Sequence, residues 1–234
     1  MFYRNFEKKL NKYDLLLPPY TSSKRLCTVG GMVGNNAGGE KSLGYGKTEK
    51  YVKELKVVLH DGKEYRIKKL TRFELEKRIF AHHGPEDTLG KVYKKLYSLF
   101  QKNEKLIKKD RPKVSKNSAG YTIWDVWNGT HFDLPKLFVG SQGTLGIITE
   151  ITFSLVKKKE HYGILMIFMD NFNHLPEIVS MVMKHNPDCF ESFDHYTLRL
   201  ALKYVTGFSK LLKLTDTQTI KLFHPEFARI EKKG

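Results

Sequence analysis

The sequence has 234 residues, of which 40% are apolar, so it is long enough for one large domain or two small ones with a sizeable core. Its 41 basic and 25 acidic residues give a net charge of +16. This charge suits a nucleic acid or an anionic membrane surface, but it also fits a lysine-rich composition, because the lysines are scattered along the chain. No run of 18 apolar residues predicts a membrane-spanning helix, and the charged start is not a secretory signal. We therefore expect a cytoplasmic protein in which Cys27 and Cys189 are free thiols.

The first predicted elements are a helix and a hairpin. Apolar residues recur at spacings of three and four over 4–16, which predicts a short helix that ends before the prolines of LLPPYTSS. Residues 51–69 alternate around the turn Asp61-Gly62, so we expect a β-hairpin with Leu55, Val57 and Leu59 on its buried face.

Two helices should follow the hairpin. Thr71 and Glu74 have the spacing of a capping box, which predicts a helix over about 72–81. A second helix is expected from about Asp87 to Lys108, because apolar residues form one stripe along this segment.

The second half is predicted to alternate irregular and regular segments. Residues 110–136 are polar with isolated aromatic residues and should be irregular. A strand is expected over 144–156, with Ile147 and Ile151 on one side. The apolar run GILMIFM (163–169) is typical of a strand covered on both faces, and a helix should follow over 174–185.

Glycine is concentrated in two stretches. Residues 28–48 (TVGGMVGNNAGGEKSLGYGKT) contain seven glycines in 21 positions. A second cluster, Gly140, Gly143 and Gly146, leads into the strand predicted over 144–156. Glycine costs roughly 0.5–1 kcal/mol relative to alanine inside ordered structure, so bare backbone should have a use here. We interpret both stretches as surfaces that hold one polyanionic cofactor between them, although tight turns without a ligand are the simpler alternative.

Two common phosphate-binding motifs do not fit the first stretch. A P-loop that ended in Gly46-Lys47-Thr48 would need glycine at position 41, which is Lys41. The dinucleotide fingerprint G-x-G-x-x-G is absent, and no βαβ unit surrounds the segment.

The order and spacing of these blocks resemble the FAD-binding domain of the vanillyl-alcohol oxidase (PCMH-type) family, nearest to the D-lactate and glycolate dehydrogenase group. The resemblance rests on PPYTSS, CTVGGMVGNNAGG, GYGKTEKYVKELKVVLHDG, NSAGYTIWDVWN and FDLPKLFVGSQGTLGIITEITFSLV. It implies an α+β fold: the second subdomain of a PCMH-type FAD-binding domain, with a mixed or antiparallel sheet flanked by helices, plus the start of an α+β cap domain. The implied domains are 1–156, a partial FAD-binding domain, and 157–234, the truncated start of the cap.

The resemblance also implies FAD as the cofactor and a set of contacts carried over position by position. In that family the first loop passes along the flavin and its pyrophosphate, and the second holds the cofactor through backbone contacts. The implied contact residues are Pro19, Tyr20, Thr21, Ser22, Thr28, Gly30, Gly31, Asn35, Asn36, Ala37, Gly38, Gly39, Gly46, Gln142, Gly143, Gly146, Ile147 and Ile148. The family usually has glutamate where this chain has Gln142, which keeps an acceptor and loses the charge.

The implied activity is an FAD-dependent oxidoreductase of the 2-hydroxy-acid type, or a component of one, in which hydride passes from substrate to flavin. Nothing in residues 1–27 resembles the pyrophosphate loop of the family's first subdomain, and most of the substrate cap is missing. The alternatives are therefore a non-catalytic remnant, or one half of a split enzyme that needs a complementary chain carrying the first subdomain. No catalytic residue, substrate or electron acceptor can be assigned from the sequence.

Other residues leave alternatives open. His82 and His83 suit a helix end or a metal site, but no metal-ligand spacing occurs, so we expect no metal. Tyr121, Trp124 and Trp127 could line a flavin pocket or anchor an irregular loop. Asp194 and His195 could touch substrate. We expect no nucleic-acid partner, because no recognition motif occurs, and at most peripheral membrane contact.

Overall fold

The computed structural model describes residues 1–81, 87–114, 117 and 119–204. Residues 1–190 belong to one compact unit, and the described residues 191–204 belong to a second. The histidine pair at 82–83 and the basic segment after 204 lie outside the described residues. In the described part, no helix is both long enough and apolar enough to cross a membrane.

Helices and antiparallel strands are interspersed along the chain, and α5, with 22 residues, is the longest of the described helices. The helices are α1 (Tyr3–Leu10), α2 (Val29–Gly34), α3 (Ser42–Tyr45), α4 (Arg72–Phe80), α5 (Thr88–Lys109), α6 (Pro135–Phe138), α7 (Leu175–Met183) and α8 (His195–Lys203). The strands are β1 (Leu15–Leu16), β2 (Val52–Val58), β3 (Glu64–Thr71), β4 (His131–Asp133), β5 (Ile147–Phe153) and β6 (Val156–Lys157). Short 3₁₀ turns occupy Asn11–Tyr13, Thr48–Lys50 and Ile123–Asp125. The predicted α+β class, with antiparallel sheets flanked by helices, is confirmed.

The main sheet has the strand order β4-β3-β2-β5 and is antiparallel throughout. Its centre is the predicted hairpin, in which Leu55 pairs with Ile67 and Val57 with Tyr65. Leu55, Val57 and Ile67 are fully buried, as the alternating pattern requires.

The prediction that Ile147 and Ile151 lie on the same side of β5 is wrong at Ile147. Lys56 pairs with Glu150 and Val57 with Ile148, so Thr149 is an extra residue in β5. Such a bulge reverses the faces on either side of it. Ile147 is therefore 68% exposed, and Ile148 packs against the core instead.

Helices α4 and α5 cover the buried face of this sheet. The predicted capping box is confirmed: the Thr71 hydroxyl accepts from the Glu74 amide, and the Glu74 carboxylate accepts from the Thr71 amide. The Asp87 side chain caps α5. Tyr93 and Phe100 of α5 make edge-on ring contacts with Phe132, each with centroids 5.7 Å apart.

The expectation that 110–136 is irregular is partly wrong, since it contains β4 and the start of α6. β4 has three residues, too few to reveal a period in the sequence, and it forms by pairing with the edge of β3. Trp127 packs on the core through an edge-on contact with Tyr97, while Tyr121 is 40% exposed. Of the two alternatives for Trp127, a flavin pocket or the anchoring of an irregular loop, the structure therefore supports packing on the core.

A second, smaller core lies under α1 and α2, where Tyr3, Leu17 and Met32 are almost completely buried. β1 and β6 form a two-stranded antiparallel sheet beside it. The predicted helix over 4–16 ends earlier, at Leu10, because a 3₁₀ turn and the left-handed Asp14 (φ 52°) lead into β1.

The strand predicted over 163–169 is wrong. The segment is irregular, and its side chains are exposed, including Ile164 at 89% and Leu165 at 76%. A strand needs a partner for its backbone groups, and no described strand pairs with this segment. The helix predicted after it is confirmed as α7.

Candidate functional site

The first glycine stretch begins with a helix that has one nearly bare face. The Thr28 hydroxyl caps α2 by accepting from the Gly31 amide at 3.1 Å. Val29, Met32 and Val33 are buried, whereas Gly30 and Gly31 are exposed. A Cβ added at Gly30 would have no atom within 4 Å, so an outside molecule can approach this backbone closely.

The second glycine stretch lies directly against the end of α2. The Gly140 amide donates to the Val33 carbonyl at 2.9 Å, and the Gln142 amide donates to the Gly34 carbonyl at 2.8 Å. A Cβ at Gly140 would lie 3.3 Å from the Cβ of Asn36. The two stretches therefore form one continuous surface, which we call the glycine junction (Gly30–Asn36 and Gly140–Gly143).

The backbone turns sharply within the second stretch. Gln142 and Gly143 both have positive φ, 52° and 80°, and both are exposed. Gly146 has a different use, because a Cβ there would lie 2.7 Å from the Val58 carbonyl oxygen. Gly146 and the half-buried Ile148 thus fit β5 against the sheet, and Ile147 faces outward.

The segment 19–22 packs against the far end of the first stretch. A Cβ on Gly39 would lie only 2.0 Å from the Tyr20 carbonyl oxygen, so no other residue fits without moving backbone. The Tyr20 hydroxyl donates to Glu40 at 2.8 Å. Burial, and then the Glu40 carboxylate, raise the pKa of Tyr20 above its ordinary value, so Tyr20 stays neutral.

Asn36 is a buried residue that supports this surface from inside the protein. It is 4% exposed, has φ 46°, and exchanges two hydrogen bonds with Glu49: its Nδ2 donates to Oε2 at 2.6 Å, and its Oδ1 accepts from the Glu49 amide at 3.0 Å. Ala37 is also buried, and its carbonyl accepts from both the amide and the hydroxyl of Thr48. These two residues shape the loop from behind.

The predicted contact residues divide into three groups by exposure. The exposed ones are Ser22, Thr28, Gly30, Gly31, Asn35, Gln142, Gly143 and Ile147. The half-buried ones are Thr21, Gly38, Gly39, Gly46, Gly146 and Ile148. The buried ones are Pro19, Tyr20, Asn36 and Ala37. The exposed group contains the residues that can touch a ligand without rearrangement.

A third segment reaches the glycine junction, and it contains Tyr121, for which the sequence left open either a flavin pocket or the anchoring of an irregular loop. The Tyr121 hydroxyl and the Thr144 hydroxyl are hydrogen-bonded at 2.7 Å, and the Gly120 carbonyl oxygen lies 4.0 Å from the position of a Cβ on Gly140.

Two cavities, of about 330 and 360 Å³, lie elsewhere. The first lies between α3 and the end of α7 and includes Tyr45, Lys159 and Asp188; the second lies between β3 and α5. None of the predicted contact residues lines either cavity. The candidate site is therefore an open surface of backbone and not an enclosed pocket. Among the described residues, no cluster of three or more His, Cys, Asp or Glu side chains could hold a metal.

Asp194 has a local structural use. Its carboxylate accepts from the Thr197 amide at 2.8 Å at the start of α8, and hydrogen bonds from Thr197 lower its pKa.

In a comparison with known proteins, residues 2–68 match the family model described as the FAD binding domain. The matched range contains α2, the whole first glycine stretch and the β2–β3 hairpin up to Lys68.

The chain is also similar to several curated enzymes. It is 27% identical to the D-2-hydroxyglutarate dehydrogenase of Escherichia coli K12 over 209 residues, which cover 88% of this chain and 20% of that protein. It is 31% identical to the glycolate oxidase subunit GlcD of Bacillus subtilis over 192 residues (81% and 29%), and 29% identical to the D-lactate dehydrogenase of Anaerostipes hadrus over 175 residues (75% and 25%). The chain thus spans less than a third of the length of these relatives. The predicted resemblance to FAD-binding oxidoreductases of this group is confirmed, as is the FAD-binding character of the matched domain.

Proposed function

We propose that this chain is the FAD-binding part of an oxidoreductase that acts on a small 2-hydroxy acid. The observation that carries the proposal is the pair of backbone hydrogen bonds, Gly140 to Val33 and Gln142 to Gly34, which join the two glycine stretches into one surface. The match of the first stretch to an FAD binding domain and the activities for which the relatives are named support it.

The residues of the glycine junction suit a flat, polyanionic cofactor. The bare backbone at Gly30 and Gly143 has open space above it, so a ligand can reach main-chain groups directly. The exposed Asn35 and Gln142 offer amide donors and acceptors, and the exposed Ile147, five residues after Gln142, offers an apolar surface. Gly38, Gly39 and Gly46 shape the loop, while Asn36 and Ala37 support it from behind.

FAD supplies the hydride acceptor for oxidation of a 2-hydroxy acid when it is bound. The contribution of this chain is to bind and orient the cofactor, because none of its described residues forms an identifiable proton-transfer site at the glycine junction. We propose that the Gln142 side chain donates hydrogen bonds to the cofactor and accepts hydrogen bonds from it. Because its amide is neutral, it adds no negative charge beside the phosphates.

Residues 157–234 are proposed to begin a substrate-binding cap. The matched parts of the relatives are 20–29% of their lengths, so other polypeptide is needed to supply the remaining functions. We propose that a complementary chain can supply it, including a first FAD subdomain. The exposed apolar segment 163–169 fits a surface that such a polypeptide covers. A non-catalytic remnant is not favoured. The free thiols of Cys27 and Cys189 support a cytoplasmic location.

The test is a titration of the purified chain with FAD, followed by flavin fluorescence and by visible circular dichroism. We expect saturable binding with a Kd below about 100 µM, because the site is open and preformed. The variant Gly30→Ala should stabilise α2 by about 0.4–1 kcal/mol, and it should weaken FAD binding by about tenfold through its added methyl group.

Ser98→Ala is the matched control, since it also raises helix propensity at an exposed helical position, here in α5. It should leave the Kd unchanged. Absence of saturable FAD binding by the wild-type chain, both alone and with a complementary polypeptide, would contradict the proposed function. Equal Kd values for Gly30→Ala and Ser98→Ala would contradict the placement of the cofactor on α2.

A further inference from the structure

Lys47 is a half-buried lysine that the proposed function does not use. It belongs to the sequence Gly46-Lys47-Thr48, which lacks the spacing of a P-loop. Only 12% of its side chain is exposed. Withdrawing an ammonium group from water is costly unless it is paired or hydrogen-bonded, so the contacts of Lys47 should have a purpose.

Those contacts join distant parts of the chain. The Lys47 ammonium donates to the backbone carbonyl of Asn117, and it lies 3.9 Å from the Glu49 carboxylate. Glu49 in turn is bound twice to Asn36, through its Oε2 at 2.6 Å and its amide at 3.0 Å. Lys47, Glu49 and Asn36 therefore form one chain of polar contacts.

This polar chain ends at the glycine junction. Asn36 is 4% exposed, and its Cβ is the nearest atom to a Cβ placed on Gly140. Its backbone has a positive φ of 46°, in the left-handed region that few residues other than glycine and asparagine adopt. A shift of Glu49 would therefore move Asn36, which lies where the two glycine stretches meet.

At its other end, the polar chain reaches Asn117, which is hydrogen-bonded to Ala119 ahead of Gly120 and Tyr121. The Asn117 side chain accepts from the Ala119 amide at 2.9 Å, which makes a tight turn. Beyond this turn, Gly120 approaches Gly140, and the Tyr121 hydroxyl is bonded to Thr144 at 2.7 Å. The ring of Tyr121 is 40% exposed beside the second stretch.

We propose that Lys47 is a positioning residue that holds Asn117 and residues 119–121 against the glycine junction, and that Tyr121 forms a third wall of the FAD site. The first part concerns the fold of this chain alone, and the second rests on the proposed function. Tyr121 presents an aromatic face and a fixed hydroxyl, which suit contact with a flat ring system.

The first test needs no cofactor. Amide hydrogen exchange is measured by NMR for the wild type, Lys47→Met and the control Lys53→Met, which makes the same change at an exposed lysine of β2. In Lys47→Met, the amides of Ala119 and Ile123 should exchange about tenfold faster or more, because the hydrogen bond from the Lys47 ammonium to the Asn117 carbonyl is lost. The amide of Leu55 should be unchanged in all three proteins. Unchanged exchange at Ala119 and Ile123 in Lys47→Met would overturn the positioning role.

The second test measures FAD affinity in the same proteins and in Tyr121 variants. Tyr121→Ala and Lys47→Met should each raise the Kd for FAD by about tenfold, whereas Tyr121→Phe, which keeps the ring, should change it less than about threefold. Lys47→Arg keeps the charge and the donors and should recover most of the affinity lost in Lys47→Met.

The positioning role of Lys47 and the third wall formed by Tyr121 can be overturned independently of each other. Faster loop exchange in Lys47→Met with an unchanged Kd would overturn the third wall and leave the positioning role. A wild-type chain that binds no FAD, either alone or with a complementary polypeptide, would overturn the proposed function and the third wall together, while hydrogen exchange would still decide the role of Lys47.

Discussion

Gly39 and Gly30 belong to the same glycine-rich stretch, but the presence of glycine has a different physical reason at each of the two positions. At Gly39 a side chain is excluded by the protein's own backbone, the Tyr20 carbonyl oxygen 2.0 Å from the position of a Cβ. At Gly30 nothing in the protein excludes a side chain. The first glycine is therefore explained by folding, and the second is explained only if something outside the chain approaches it.

The first prediction concerns Gly39→Ala. Because its methyl group would meet main-chain atoms that cannot rotate away, we expect a loss of about 1–3 kcal/mol in the free energy of unfolding, measured by urea denaturation. Gly30→Ala in the same assay should be stabilising. A Gly39→Ala variant as stable as the wild type would show that segments 19–22 and 38–39 are not in contact.

Sequence reasoning found the glycine residues, because bare backbone concentrated in two places has few structural explanations. It did not find Lys47 as part of the site, and it left Tyr121 open between a flavin pocket and the anchoring of an irregular loop. Their contacts, to Asn117 and Thr144, join residues far apart in the chain, and nothing local in the sequence encodes such pairs.

At the scale of the elements, the turn of the β2–β3 hairpin is fixed to the start of α5. The Asp61 carboxylate is hydrogen-bonded by the Thr88 side chain, by the Tyr65 hydroxyl at 2.5 Å and by the Lys63 amide at 3.1 Å. These bonds, that from Thr88 first, lower the pKa of Asp61 to about 2. Because an ionised carboxylate accepts stronger hydrogen bonds than a protonated one, this link between sheet and helix is strongest while Asp61 is ionised.

The second prediction is the pH dependence that follows. A folded pKa below the unfolded one gives stability that is present above the unfolded pKa, near 4, and is lost as the pH falls through the folded pKa, near 2. Asp61→Asn should therefore show a smaller fall in thermal midpoint between pH 5 and pH 2.5 than the wild type. Asp110→Asn, an exposed carboxylate at the end of α5, controls for the loss of one charge. Parallel curves for wild type and Asp61→Asn would contradict the role of Asp61.

Elements with a clear period or a turn signal were predictable, and single-residue irregularities were not. The hairpin, α4, α5 and α7 follow from alternation, the Thr71–Glu74 cap and helical spacing. The bulge at Thr149 leaves no such signal, because one inserted residue reverses the faces without changing the composition. The segment 163–169 has the composition of a buried strand, but composition cannot supply the neighbouring strand that would pair with it.

At the scale of the whole molecule, apolar residues are distributed unevenly. The sheet face under α4 and α5 is densely buried, whereas Tyr162, Ile164, Leu165 and Met166 are each more than half exposed. Such an exposed apolar segment is typical of a surface that another polypeptide covers, and it is an aggregation hazard when uncovered.

The third prediction separates these two regions. Ile164→Lys should change the free energy of unfolding by less than about 0.5 kcal/mol, because its side chain is already in water, and it should reduce aggregation measured by light scattering. Leu55→Ala, at a fully buried position, should cost about 2–5 kcal/mol. A loss of about 2 kcal/mol or more in Ile164→Lys would show that the segment is packed in solution.

The most direct test of the central claim is hydrogen exchange of the purified chain with and without saturating FAD, read by mass spectrometry on peptides covering 28–39 and 139–148. If the two glycine stretches bind one molecule together, both peptides should gain protection at the same FAD concentration, while peptides from α5 should not change. Protection of only one stretch, or of neither, would contradict a shared FAD site.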